Sequence, residues 1–264
     1  MQLKNARVIV TGASQGIGRA IALEFGRRGA RLALASRNRP ALDELAASIR
    51  SEGGSAIVIQ TDVTVAGAVE QLAHDTIREL GGIDILVNNA GIGMTAPIGD
   101  ASSADVEAVF ALNVLAAAAA IRAVLPIMRA QHDGMIINIS SIAGRIVVPR
   151  IGYYSASKFA LTAIGDALRM EEDHRGIKVM NVFPGTTRSN FGENRLGARG
   201  RQAHQRLPPV PAEKVARRIA NAVERNRRSV YISWIPDRAA VAANWLAGWA
   251  ISAVLRGWAR RAQA

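Results

Sequence analysis

The 264-residue chain contains no cysteine. Disulfides, thiolate nucleophiles and cysteine-ligated metals are therefore excluded, and no metal site is expected. A secretory leader is not expected either: Met1 to Asn5 is short and polar, and a strand-like run begins almost at once. Both absences suit a reducing, cytoplasmic setting. No uninterrupted apolar run reaches the ~20 residues of a membrane span. No recognised nucleic-acid-binding motif accompanies the basic residues, so no nucleic-acid partner is expected.

What is present is an apolar, basic chain. Apolar residues make up 49% and charged residues 20%, enough for a large core and too little charge for wholesale disorder. The length suits one large α/β domain over residues 1–264. The net charge of +12 fits either an acidic partner, such as anionic lipid or a carrier protein, or a surface that simply favours arginine.

Ala6 to Val10 is an apolar run closing on Thr11-Gly12, the pattern of a buried parallel strand. Gly12-Ala13-Ser14-Gln15-Gly16-Ile17-Gly18 follows, then an amphipathic helix through Arg28. Strand, glycine turn and helix in that order are the setting a dinucleotide loop needs. Glycine lets the backbone approach a pyrophosphate, and the helix start offers unpaired N–H groups to the phosphates. The spacing is G-x-x-x-G-x-G rather than G-x-G-x-x-G, and a plain tight turn would carry the same glycines. Arg31 to Ala35 is the second strand, ending in Ser36-Arg37-Asn38-Arg39. An acidic residue there would bind a ribose 2′-hydroxyl, whereas arginine suits a 2′-phosphate. Ser36 and Arg37, with no acid beside them, favour NADP over NAD; Arg37 and Arg39 as ordinary surface residues are the alternative. Ala56 to Gln60 is the third strand. It ends in Thr61-Asp62-Val63, where Asp62 either accepts from an adenine amino group or caps a helix expected over 65–80.

Ile83 to Val87, the fourth strand, runs into Asn88-Asn89-Ala90-Gly91. Small and amide residues suit the crevice at the carboxyl ends of a doubly wound sheet; an asparagine-glycine turn is the alternative. A long helix is expected over 103–129. It carries Asn113 on an apolar face, where an unpartnered amide would cost about 1–3 kcal/mol. Pro126 is expected to kink or end it late. Met135 to Ile139 is the fifth strand, with Ser140-Ser141 at its end. A helix follows from Tyr153 to about Glu172, then a sixth strand from Ile177 to Phe183, closed by Pro184-Gly185. Alternating strands and helices imply a parallel sheet with right-handed crossovers.

Tyr154 and Lys158 stand four apart, on one face of that helix. An ammonium beside a phenol favours the phenolate, so Tyr154 is expected to titrate below its usual ~10. A phenol so tuned gives a proton to a carbonyl oxygen or takes one from an alcohol. The Ser141 hydroxyl would hold the same oxygen. Taken alone, the pair also reads as a half-buried tyrosine and a solvated lysine.

Taken in order, the Thr11-to-Gly18 loop, Asp62, the Asn88-to-Gly91 turn, Asn113, Ser141, the Tyr154/Lys158 pair and Pro184-Gly185 resemble the short-chain dehydrogenase/reductase family, from Ala6 to about Ser189. The resemblance implies a Rossmann-like, doubly wound α/β sheet of about seven mostly parallel strands, order 3-2-1-4-5-6-7, with helices on both faces, in a homodimer or homotetramer. It implies hydride transfer between nicotinamide C4 and a carbonyl or secondary alcohol, as a ketone reductase with Tyr154 as general acid. Lys158 would lower the tyrosine's pKa and hold the nicotinamide ribose. Ser141, thirteen positions before Tyr154, would orient the substrate, and Asn113 would hold a water for a proton relay. Cofactor contacts are implied at Gly12, Ser14, Gln15, Gly16, Ile17, Gly18, Ser36, Arg37, Asp62, Val63, Asn89, Ala90, Gly91, Tyr154, Lys158, Pro184, Gly185, Thr187 and Ser189. A catalytically silent cofactor sensor on the same fold is the competing reading.

Phe191 to Pro211 is rich in Gly and Arg without an apolar period, and residues 190–211 would cover the substrate as a mobile lid. Arg195, Arg199, Arg201 and Arg206 either meet an acidic substrate or carrier or belong to a solvated loop. Pro211 to Arg225 is expected as a helix and Ser229 to Ser233 as a last strand. Ala239 to Leu255 is almost wholly apolar, inside a helix expected over 237–261, with Trp245 and Trp249 on one face and Arg238, Arg256, Arg260 and Arg261 flanking. This tail either packs on the domain or a partner subunit, or lies in a bilayer interface. The second option would suit a membrane-associated protein and a lipophilic carbonyl substrate.

Overall fold

The computed structural model describes residues 1–192, 194–197, 208–233 and 241. Seven strands build one sheet: β1 (Arg7–Thr11), β2 (Arg31–Ser36), β3 (Ser55–Gln60), β4 (Ile85–Asn88), β5 (Gly134–Ile139), β6 (Ile177–Pro184) and β7 (Ser229–Ile232). Numbered within this sheet, the order is 3-2-1-4-5-6-7, and every neighbouring pair is parallel. The expectation was a mostly parallel sheet; the sheet is parallel throughout. The chain reverses direction across the sheet between β1 and β4, which opens a crevice at their carboxyl ends.

The strands are apolar without alternation because both faces are covered. Val8 and Val10 pack with Ile21 and Phe25 of α1 (Gly16–Arg27), Leu42 and Leu45 of α2 (Arg39–Ser51), and Val215 and Ile219 of α7 (Ala212–Glu224). Ile9, Leu86 and Ile136 face the other way. They meet Leu72 of α3 (Ala68–Leu80), Val124 of α5 (Ala116–Gln131) and Leu168 of α6 (Gly152–Glu172). A parallel sheet buried on both sides needs this composition.

Three helix expectations are corrected. α3 begins at Ala68, not Val65, because Asp62 closes its own turn and the left-handed Gly67 starts the helix. The long helix over 103–129 is α4 (Ser103–Phe110), a π turn at Ala111–Leu115, and α5. Pro126 does not end α5, which continues to Gln131 past this exposed proline. Within Ser103–Gln131 an 18-residue window is apolar enough to cross a membrane, with a mean hydropathy of 2.1, yet 44% of that window is buried inside the fold. The 190–211 segment is not featureless. Leu196–Gly197 pairs with Met94–Thr95, and Val210–Pro211 pairs with Thr187–Arg188. Arg199, Arg201, Arg206 and nearly all of the 237–261 tail lie outside the described residues.

A buried amide ladder crosses the middle of the sheet. Asn88, Asn138 and Asn181 sit side by side in register on β4, β5 and β6. Asn88 donates to Asn138 (3.1 Å) and Asn138 to Asn181 (3.2 Å), which donates in turn to Asp166 (2.9 Å). Each amide is satisfied, as its burial requires. α6 crosses the ladder at Gly165, where a Cβ would stand 2.3 Å from Asn181 Oδ1 and 2.7 Å from Asn138 Nδ2. Gly165→Ala is expected to lower stability by about 1–3 kcal/mol through this overlap, read as a lower urea midpoint at unchanged m.

Candidate active site

The carboxyl ends of the strands open into a cleft of about 970 Å³. Its floor is built where β1 and β4 diverge. Thr11 Oγ1 donates to the Val87 carbonyl (3.1 Å) and accepts from the amides of Asn89 (3.0 Å) and Ala90 (3.1 Å). Asn89 Nδ2 donates back to the carbonyls of Thr11 (2.9 Å) and Gly12 (3.0 Å). The glycines make this packing possible. Gly12 has φ +63°, and a Cβ on it would come within 2.9 Å of Ala90 Cα. A Cβ on Gly18 would sit 2.4 Å from both Asn89 Nδ2 and the Gly12 carbonyl oxygen. Ser14, Gln15, Gly16 and Ile17 line the cleft, whereas Gly18 lies beneath it. α1 starts with an extended Gln15, no capping side chain and no acid in its first turn. Its first N–H groups and dipole therefore remain available to an anion.

Ser36, Arg37, Asp62 and Val63 form one end of the cleft. Asp62 Oδ1 accepts from the backbone N (3.0 Å) and hydroxyl (2.7 Å) of Thr64, and these bonds hold its carboxyl below the usual range. Its Oδ2 lies 3.9 Å from Arg37 Nη1. The Arg37 side chain is 77% exposed, so this pair contributes little to stability.

Ser141, Tyr154 and Lys158 converge at the opposite end, with Ala90, Gly91, Pro184, Gly185, Thr187 and Ser189 between. Ser140 spends its hydroxyl on Thr162 Oγ1 (2.9 Å) and the Lys158 carbonyl (3.1 Å), while Ser141 Oγ accepts from the Ala143 amide (3.1 Å) and lies near enough to the Tyr154 phenol to lower its pKa. Lys158 is buried and its Nζ donates to the Ile139 carbonyl (3.0 Å). Burial holds this ammonium's pKa down at about 8.

The electrostatics differ from the expectation of a phenol drawn down by its lysine. Lys158 Nζ stands 5.9 Å from the centre of the Tyr154 ring and is turned toward Ile139. The residue is half-buried, but its phenol sits deep. Burial raises its pKa, with Ser141 and then Arg195 pulling it back only in part. A dry site penalises the phenolate as well as the ammonium.

Asn113 is buried beside the cleft rather than on its wall. Its Oδ1 accepts from the Ile92 amide (2.8 Å), and its Nδ2 donates to the Ile92 carbonyl (2.9 Å) and Ser157 Oγ (3.0 Å). The side chain is thus committed to clamping the loop after β4 against α6. A Cβ on Gly91 would meet Asn113 Oδ1 at 3.0 Å and Lys158 Nζ at 3.3 Å, so this loop passes close over both. Tyr153 donates weakly to the Ile98 carbonyl (3.4 Å) and stays out of the cleft.

Several contributors had no sequence signal of their own. Asn138 and Asn181 are single amides inside apolar strands, a departure visible in the sequence but without a partner there. Phe191 packs at 6.0 Å from the Tyr154 ring, and Arg195 Nη1 donates to Thr95 Oγ1 (2.9 Å). Both contacts are tertiary and join segments roughly a hundred or fewer positions apart.

Lys158 gives the site a measurable pH signature. Its pKa is about 8 in the fold against an ordinary 10.5. Between these values the unfolded chain binds more protons, so this group's contribution to stability rises with pH. Relative to Lys158→Met, the parent protein is expected to gain about 2 kcal/mol between pH 7 and pH 10, measured by urea titration at each pH.

The short chain dehydrogenase family pattern matches residues 6–199. The chain is 34% identical over 247 residues to dehydrogenase/reductase SDR family member 7B of Mus musculus, covering 90% of this chain and 76% of that protein. The fold superposes with a TM-score of 0.81 on a short-chain dehydrogenase from Streptomyces avermitilis, 29% identical, covering 98% of each chain. The same score relates it to a short chain dehydrogenase/reductase from Burkholderia phymatum in complex with NAD, 25% identical, covering 97% of this chain and 93% of that one. With its glycine loop at the parallel sheet's switch point, this chain belongs to the short-chain dehydrogenase/reductase family of nicotinamide-dependent oxidoreductases.

Proposed function

We propose that the protein is an NADP-dependent ketone reductase in which Tyr154 protonates the carbonyl oxygen. The observation that carries this reading is the meeting of Tyr154, Ser141 and Lys158 in one cleft with the glycine loop and Arg37. The residues present fit a dinucleotide: the open amides of α1 suit its phosphates, and Gly12 and Gly91 let the backbone beside them pack closely against Ala90, Asn113 and Lys158. The nicotinamide cofactor supplies the hydride when bound. Preference for NADP is supported by Arg37 at the end of β2, with no acid from Ser36 to Arg39.

Tyr154 holds its proton because burial raises its pKa, and a protonated phenol is what reduction of a ketone requires. Ser141 donates to the same carbonyl oxygen. Lys158 and Arg195 supply positive charge beside the phenolate that remains after transfer. Leu112, Ile142, Ile146, Val148 and Ile151 line the cleft, which favours a substrate with an apolar part. Phe191, Gly192, Asn194 and Arg195 line this end. The same reading makes the protein a cytoplasmic homo-oligomer, with the 237–261 tail contacting a partner subunit or a membrane surface.

Tyr154→Phe is expected to lower turnover of a ketone by about 10²–10⁴-fold while NADPH still binds, checked by NADPH oxidation and by fluorescence titration. A variant that turns over normally removes Tyr154 from the chemistry. A parent protein that binds NADPH yet reduces nothing in a broad carbonyl panel would favour the cofactor-sensing role. Arg37→Ala is expected to weaken NADPH about tenfold or more with little change for NADH, the loss of a charge-assisted phosphate contact.

A further inference from the structure

The geometry points to Arg195 as a specificity-determining cation. The substrate would be a ketone, or its alcohol, bearing a carboxylate or similar anionic group near the reacting carbon and an apolar portion beyond it. This deepens the reductase reading and rests on it.

Arg195 lines the same end of the cleft as Tyr154 and is half-buried. Its position is fixed by the backbone that follows it. Leu196 donates to the Gly93 carbonyl (2.9 Å), and Leu196–Gly197 pairs with Met94–Thr95. Gly93 lets the guanidinium approach: a Cβ there would lie 3.4 Å from Arg195 Nε and 3.1 Å from the Phe191 ring. The guanidinium donates from Nη1 to Thr95 Oγ1, and its Nε and Nη2 make no hydrogen bond among the described residues. No carboxylate of the described residues pairs with Arg195 either. Among the described residues the one acid on the cleft wall, Asp62, belongs to the opposite end beside Arg37.

A half-buried cation with one neutral partner among the described residues is under-compensated for the water it has lost. The planar guanidinium fork keeps its Nε/Nη2 edge unused, the arrangement that receives a carboxylate in bidentate fashion. Arg195 lies close enough to the phenol for its charge to favour the phenolate. An anion held there would therefore stand close to the carbonyl being reduced. The apolar wall at Leu112, Ile146 and Val148 would take the remainder of the molecule.

The test uses the full chain with NADPH and aryl-alkyl ketones carrying a carboxylate one to four carbons from the carbonyl, each paired with its methyl ester. The parent is expected to prefer the acid at least at one spacing. Arg195→Gln is expected to lower kcat/KM for that acid about tenfold or more beyond any loss on the ester, mostly through KM, with the KM for NADPH unchanged. Arg195→Lys should recover part of the preference as a point charge without the fork. Binding of the same acids to the NADP-loaded parent, Tyr154→Phe and Arg195→Gln, measured by calorimetry, separates the two readings. Arg195-dependent binding without turnover in the parent would keep the anion site and overturn the reductase assignment. Preference for the ester at every spacing, equal losses on acid and ester, or binding indifferent to Arg195 would overturn the anion site.

Discussion

The site depends on how β1 and β4 are kept together where the sheet has to part. At a switch point the two strands diverge, and their last carbonyls and amides lose sheet partners. One threonine and one asparagine repair the loss. Thr11 takes up two amides and one carbonyl, and Asn89 takes up two more carbonyls, so five backbone groups are satisfied by two side chains. This stitching fixes the glycine loop relative to the turn after β4. It brings Gly12 and Gly18 so close to that turn that no larger residue fits. The open helix start and the loop beside Lys158 inherit their positions from it.

The chemical end of the cleft is governed by dryness more than by charge pairing. A helical tyrosine and lysine four apart suggest a direct contact, but the lysine head turns away to a strand carbonyl. Both groups then pay for burial in their charged forms, the ammonium titrating at about 8 and the phenol above its ordinary value. Such a pair starts neutral at the phenol and becomes polar only as a proton leaves it. Stabilising charge nearby is then most useful after the transfer, where catalysis gains from it.

Much of the architecture was legible because strands buried on both faces are written as unbroken apolar runs and helices as periodic ones. The places of the seven strands and of the helix bearing Tyr154 and Lys158 follow from that pattern, whereas the strand order in the sheet followed from the family resemblance. Interactions that depend on three-dimensional direction were not legible. Spacing places Lys158 on the face of Tyr154 but cannot say which oxygen its Nζ will choose. Asn113 reads as a buried amide needing partners, and its partners turn out to be the backbone of Ile92 and the hydroxyl of Ser157. Asp62 reads as a helix cap, but a closer threonine takes it. Two-residue ladders such as Met94–Thr95 with Leu196–Gly197 are too short to leave any periodicity.

The π turn at Ala111–Leu115 carries a last consequence. A π turn holds one residue more than the α-helix around it, so everything downstream is advanced by about 100° about the axis. Asn113 lies inside that insertion, and α5 resumes beyond it with Val124 and Met128 against the sheet. Removing one residue between Phe110 and Ala116 would straighten the rod, and the clamp on Ile92 and the core face of α5 could no longer both be satisfied. The irregular turn is thus a phase adjuster, letting one continuous helix serve the catalytic loop at its start and the hydrophobic interior along the rest of its length.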